Sequence, residues 1–175
     1  MSGRAATPLR PTDLVIDRIG ARFHGRRFPC AIGRGGRTRE KREGDGATPI
    51  GVFSFETVYW RPDRRAHPRL SLPARRIGVH DGWSDDPEDP LYNQPVRRPH
   101  PWRCERMRRP DPLYDMVIVF DANRDPIIPG GGSALFVHVW RAPRYPTAGC
   151  IAFRKPDLLW IAERLAPESR LIVQP

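Results

Sequence analysis

Apolar residues along this 175-residue chain fall in short runs of strand length, parted by turn-forming clusters instead of helical intervals. Residues 13–19 (DLVIDRI) alternate, with Leu14 and Ile16 on one face, and predict an opening strand. Residues 27–32 (RFPCAI) predict its partner, joined as a hairpin through the region of Gly20 and Gly25. Val52, Phe53 and residues 55–58 predict another strand. Residues 115–121 (DMVIVFD) form a continuous β-branched run, the pattern of a strand buried on both faces, and residues 123–125 mark the turn after it. Residues 134–140 predict the next strand, introduced by the turn at 130–133, and residues 170–173 close the sheet. One helix stands out. Pro156 suits its first turn, Leu158, Leu159, Ile161, Ala162 and Leu165 recur at helical spacing, and Pro167 ends it.

Residues 61–112 lack such regularity and are rich in proline, arginine and aspartate, with one short strand expected at 76–80. Trp83, Leu91, Tyr92, Trp102 and Met107 provide apolar anchors throughout this stretch. An ordered excursion packed over the sheet and walling a cleft is therefore expected, not a disordered linker. Twenty-one prolines and fifteen glycines exclude long helices over most of the chain. The expected class is mainly β: a mixed sheet with one C-terminal helix and a long loop-rich excursion, in a single domain over 1–175.

The formal charge of +10 and pI of about 10.6 come largely from arginines clustered at 34–42, 61–76 and 97–109. Such a surface suits nucleic acid, an acidic lipid face or a carboxylate-rich polymer, and a merely solvated basic surface accounts for it equally. No helix-turn-helix, zinc-finger or RNA-recognition pattern accompanies the charge, so no nucleic-acid partner is expected. Cys30, Cys104 and Cys150 are odd in number and widely spaced, which argues against a disulfide framework and a structural zinc site. Neither an HExxH nor another tight metal-ligand cluster is present. No run approaches the roughly 18 apolar residues of a membrane span. The first twenty residues lack the apolar core of a secretory signal, so a cytoplasmic location is expected of the sequence as written. Another start site or a non-standard export route would place the protein in the periplasm or cell envelope.

The candidate chemistry lies in residues 134–153 (ALFVHVWRAPRYPTAGCIAF). His138 shares a strand face with Phe136 and Trp140, while Leu135, Val137 and Val139 point the other way. A turn-rich loop then leads to Thr147, Ala148, Gly149 and Cys150. A thiol and an imidazole so delivered are the parts of a cysteine nucleophile and its base. In that role the imidazole would hold the thiolate as an ion pair, drawing the thiol from about 8.5 toward about 6. Gly149 would let the backbone approach a reacting carbonyl, its neighbouring N–H groups would form an oxyanion hole, and Thr147 would bond the imidazole or the substrate. The generic alternative is a core histidine beside a buried cysteine. Cys30 reads as a buried structural thiol. The glycine-rich loop at 33–46 lacks the GxxxxGK[ST] order, and Asp45 reads as its stabiliser. His24, His67, His80 and His100 read as surface or hydrogen-bonding residues, with the His80–Asp81 pair a lesser candidate for the cleft.

Residues 134–153, together with 41–53 (KREGDGATPIGVF), resemble the L,D-transpeptidase catalytic-domain family, also called YkuD-like. In that family an upstream histidine and a later [Ser/Thr]-x-Gly-Cys segment form the active site, and a Gly-Asp-Gly-x-Thr-Pro-x-Gly segment enters an early strand. These map to His138, to Thr147 through Cys150, and to Gly44 through Gly51. Residues 83–93 (WSDDPEDPLYN), and Leu113 and Tyr114 before a strand, resemble one branch of the family. The resemblance implies the YkuD-like mixed β-sheet fold and a ping-pong acyl transfer on peptidoglycan stem peptides or muropeptides. It implies attack by Cys150 on the diamino-acid carbonyl of a stem tetrapeptide, loss of D-alanine, and passage of the acyl group to an amine. With water instead, the same site would act as an L,D-carboxypeptidase, and the resemblance implies that no metal or organic cofactor is needed. Two departures stand out. Ala148 replaces a histidine common in the family, leaving the proton relay to His138, and Ala152 replaces an arginine. Arg141 and Arg144 are the candidates to bind the substrate carboxylate in its place, with Trp83 and Tyr92 as candidate groove walls.

Overall fold

The computed structural model describes residues 8–175, so residues 1–7 of the single expected domain lie outside the described residues. The chain opens with β1 (Leu14–Ile16), β2 (Ala21–Phe23), β3 (Arg26–Phe28) and β4 (Cys30–Ala31). Thus residues 27–32 are not one strand pairing with β1. The hairpin is β2–β3, turned at His24 and Gly25, whose φ values of 46° and 72° suit a two-residue turn. Pro29 has no N–H to give a ladder, and there the chain leaves one sheet edge for the other: β3 pairs β2, whereas β4 pairs a strand near the C-terminus.

The short pair β5 (Arg37–Thr38) and β6 (Thr48–Pro49) brackets the glycine-rich loop. The long β7 (Gly51–Trp60) follows, then β8 (Ala74–Arg76), β9 (Asp81–Ser84), β10 (Pro95–Arg97), β11 (Cys104–Arg106), β12 (Met116–Phe120), β13 (Phe136–Val139), β14 (Ile151–Phe153), helix α1 (Lys155–Ala162) and β15 (Arg170–Val173). The main sheet runs β3-β2-β1-β15-β7-β12-β13-β14-β4, with β8 added alongside β7. Because β3 and β4 are joined through a single residue yet occupy opposite ends of this order, the sheet is nearly closed on itself.

The excursion is ordered, but its strands flank the expected position at 76–80. Residues 78–81 form a turn in which Asp81 accepts from the Gly78 N–H at 2.7 Å, and β9 is the centre of a separate sheet, β10-β9-β11. Trp83, Tyr92 and Met107 are buried anchors, whereas Leu91 and Trp102 are exposed.

Strand alternation builds a core on each face of the main sheet. Ile118, Phe120, Val137, Val139, Ile151 and Phe153 pack with Leu158, Ile161, Ala162 and Leu165 of α1 and the turn beyond it. On the opposite face Val117, Val119 and Phe136 pack with Trp83 and Met107 from the excursion and with Tyr114 just after it. β12 is buried on both faces, as its unbroken apolar run requires. The face under the excursion carries the site.

Candidate active site

His138 lies on β13 in register with Val117 of β12 and Ala152 of β14, on the same face as Phe136. Tyr114 packs edge-on against its ring at a centroid distance of 5.3 Å. The Nδ1 atom lies 2.8 Å from the Val139 carbonyl. A carbonyl can only accept, so Nδ1 carries the proton and Nε2 presents its lone pair. Burial pushes the imidazole down to about 4, and the charge of Arg109 adds to this. At neutral pH the ring is an uncharged base.

Cys150 ends a tight turn shaped by its neighbours. The Thr147 hydroxyl donates to the Cys150 carbonyl at 2.6 Å and accepts from the Gly149 N–H at 3.1 Å. Thr147 therefore sets the turn instead of bonding the imidazole. Gly149 has φ of +137°, and a Cβ there would lie 3.0 Å from the Ala47 carbonyl oxygen and 3.1 Å from Leu135. Its own N–H is already bonded to Thr147, which leaves the expected oxyanion hole to its neighbours. Among the described residues, the Cys150 N–H has no acceptor.

The early Gly-Asp-Gly segment braces this turn. Asp45 accepts from the backbone of Arg42 at 2.9 Å and Ala47 at 2.8 Å and pairs with Lys41, as a loop stabiliser should. Thr48, fully buried, accepts from the Gly33 N–H at 2.9 Å and donates to the Gly149 carbonyl at 2.8 Å. Thr48→Val keeps the side-chain shape but strands both buried groups. A loss of about 1–3 kcal/mol is expected, read as a lower Tm and urea midpoint.

The Cys150 sulfur accepts from the Phe136 N–H at 3.3 Å and donates to the Ala134 carbonyl at 3.1 Å. The residue is 8% exposed, and burial, with the negative charge of Glu105 second, pushes the thiol up to about 12. The expected thiolate–imidazolium pair is therefore corrected. In the resting site both groups are neutral, because desolvation disfavours each charged form and the leading nearby charges, Glu105 on the thiol and Arg109 on the ring, act in the same sense.

Cys150, His138 and Thr147 line one cleft of about 730 Å³. Its charged lining is mixed: Arg34, Arg109 and Arg141 with Glu43, Asp85 and Glu105. Arg109 is committed to Asp111 by bonds of 2.9 and 2.7 Å. Arg34 and Arg141 form no salt bridge with the described residues, and Arg141 lies over the Tyr145 ring at 5.5 Å.

Three expected lining residues are elsewhere. Arg144 points away, donating to the Ile19 carbonyl at 3.3 Å beside a separate hollow. Trp83 is buried behind the cleft, edge-on to Phe136 at 4.9 Å, and donates to Asn93 at 3.0 Å. Tyr92 is buried too, with its hydroxyl donating to Glu43 and accepting from the Gly132 N–H at 3.0 Å. Trp83 fills the apolar core on the sheet face under the excursion with Val117, Val119 and Phe136, and the Tyr92 hydroxyl is taken up by Glu43 and Gly132. His24, His67, His80 and His100 do not line the cleft; His100 instead pairs with buried Asp89 at 2.6 Å. Arg34, Tyr114 and Glu105 were not foreseen. Leu113 and Tyr114 stood out only as a motif before a strand, and nothing local marks Arg34, whose approach depends on a bridge between Gly33 and Thr147.

A nearly closed mixed sheet thus brings a thiol and an imidazole to one polar cleft. The family model of the L,D-transpeptidase catalytic domain matches residues 16–173, nearly the whole chain, and the chain belongs to that family. It is an L,D-transpeptidase-family enzyme, and the activity of that family is on peptidoglycan. Comparisons with curated proteins and with solved structures find no match.

Proposed function

We propose that the enzyme transfers the acyl group of a peptidoglycan stem tetrapeptide through a thioester on Cys150, with His138 as its only proton carrier. The observation that carries this reading is the presence of the Cys150 thiol and the His138 ring on the same cleft, with the Nε2 lone pair unshared among the described residues. The sulfur attacks the carbonyl between the diamino acid and D-alanine while its proton passes to Nε2. Concerted transfer suits a pair that is neutral at rest. The C–N bond then breaks, the imidazolium protonates the departing amine, and D-alanine leaves. An amine of a second stem attacks the thioester, its proton passes to Nε2, and the thiol is restored as the 3–3 link forms. The Cys150 N–H, lacking an internal acceptor, is the oxyanion donor.

Arg34 and Arg141 supply the cation that Ala152 lacks. Ala152 is wholly buried, paired between His138 and Ala31, and carries no charge. Arg34→Ala and Arg141→Ala are each expected to raise KM for the tetrapeptide about tenfold with little change in kcat. Steady-state kinetics on a tetrapeptide and on its amide, which lacks the terminal carboxylate, checks this: the amide removes the difference.

The deciding experiment is incubation with a disaccharide tetrapeptide, followed by mass spectrometry of protein and products. An acyl-enzyme and a cross-linked dimer are expected. Tripeptide alone would assign water as the acceptor, making the enzyme an L,D-carboxypeptidase. No release of D-alanine would overturn the substrate assignment.

A further inference from the structure

Residues 83–93 carry a pattern that the chemistry above leaves unused, and its last residue reaches the nucleophile. Asn93 is buried, at 2% exposure, with φ of +56°. Its Oδ1 accepts from the Trp83 indole N–H at 3.0 Å and from the Ala134 N–H at 3.1 Å. Its Nδ2 donates to the Asn123 carbonyl at 2.7 Å. Only this orientation of the carboxamide matches two donors on one side and carbonyls on the other. Arg124, itself tied to Glu56 and lying over the Trp83 ring at 5.1 Å, donates to the Asn93 carbonyl.

Ala134 is held with φ of +48°, a region that a residue bearing a Cβ seldom adopts. The Ala134 carbonyl accepts the Cys150 S–H at 3.1 Å, and the Phe136 N–H two residues later donates to the same sulfur at 3.3 Å. Both groups that hold Sγ thus come from one short segment, and Asn93 anchors its first residue.

We propose that Asn93 is a positioning residue for the Cys150 thiol, acting through the backbone of Ala134. Without the carboxamide, Ala134 relaxes toward negative φ, its carbonyl turns from the sulfur, and Sγ is no longer held in place. Asn93 is not among the residues lining the cleft, so it acts on kcat and not on substrate binding. The kinetic part rests on the nucleophile assignment of the preceding section; the geometric part does not.

The test uses the full chain with Asn93→Ala, Asn93→Asp and the double variant Asn93→Ala/Ala134→Gly. Two readouts are taken: kcat and KM for D-alanine release, and the pH dependence of iodoacetamide labelling at Cys150. Asn93→Ala is expected to lower kcat at least about tenfold with KM within about twofold. Its labelling midpoint moves to lower pH, because a thiol that no longer donates to a carbonyl loses stabilisation of its protonated form. Asn93→Asp keeps an acceptor for the Ala134 N–H but turns a carboxylate oxygen toward the Asn123 carbonyl, so it lowers the Tm yet loses less kcat than Asn93→Ala. Glycine accepts φ of +48° without a Cβ penalty, so the double variant recovers kcat and stands in if Asn93→Ala does not fold. Equal losses in Asn93→Asp and the alanine variants, tracking their Tm, with an unmoved labelling profile, would overturn the proposal. A wild type that labels normally but releases no D-alanine would instead overturn the substrate reading, and the labelling profiles would still decide the role of Asn93.

Discussion

Cys150→Ala is expected to lower D-alanine release by at least about 10⁴-fold, with no acyl-enzyme detected by mass spectrometry. The size follows from the step removed. Without sulfur no thioester forms, and the remaining donors can only polarise a carbonyl that nothing attacks. The protein should keep its fold, because Cys150 contributes two weak sulfur hydrogen bonds to Ala134 and Phe136 and little buried volume. A Tm close to wild type beside absent turnover is the expected pair of observations. Unchanged D-alanine release from a pure Cys150→Ala preparation would end the mechanism.

The second large effect concerns pH. With His138 held down to about 4 and Cys150 pushed up to about 12, kcat/KM for D-alanine release should rise through an acid limb near pH 4 and then stay level through neutrality. A preformed thiolate–imidazolium pair would instead follow the thiol toward about 6, the value the sequence alone suggested. His138→Ala should lower turnover about 10²–10⁴-fold and remove the acid limb.

The same burial links His138 to stability. Its folded value of about 4 lies below the ordinary imidazole value of 6.5, so the unfolded chain takes up the proton first as pH falls. Stability from this group is complete above about pH 6.5, declines between 6.5 and 4, and is level below 4. The integrated loss is about 3 kcal/mol. Urea midpoints of wild type and His138→Leu at pH 7 and 4.5 measure it: wild type should fall further than the variant. Equal falls would place the acid sensitivity elsewhere.

Much of the fold was legible in local pattern. β12 followed from an unbroken run of β-branched and apolar residues, α1 from the spacing of Leu158, Ile161, Ala162 and Leu165 behind Pro156, and the facing of His138 with Phe136 from strand alternation. The hairpin was misread. RFPCAI has the apolar content of one strand, yet Pro29 splits it between the two edges of the sheet. In the excursion, composition identified buried anchors at Trp83, Tyr92 and Met107 but not exposure at Leu91 and Trp102, since size and apolarity do not state what lies opposite. The excursion was correctly read as ordered, while its strands flank the position expected for them.

The candidate site divides in the same way. Cys150 and His138 were found because catalysis needs those residue types and because both stand in short, recognisable segments. Thr48 and Asn93 went unassigned: their partners, Gly149 and Ala134, lie 101 and 41 residues away. Of the arginines, Arg141 reaches the cleft and Arg144 does not, a difference set by loop conformation and not by residue type.

By itself, then, the order of residues determined a mainly β chain with one C-terminal helix and a cysteine and histidine on neighbouring segments. Periodicity and turn chemistry act over a few residues, so they can be read directly. The tertiary structure decided how the sheet nearly closes, which cations reach the cleft, and that thiol and imidazole rest uncharged. Desolvation is a sum over atoms contributed by strands, loops and an excursion far apart in the chain, and it has no value until they are packed together.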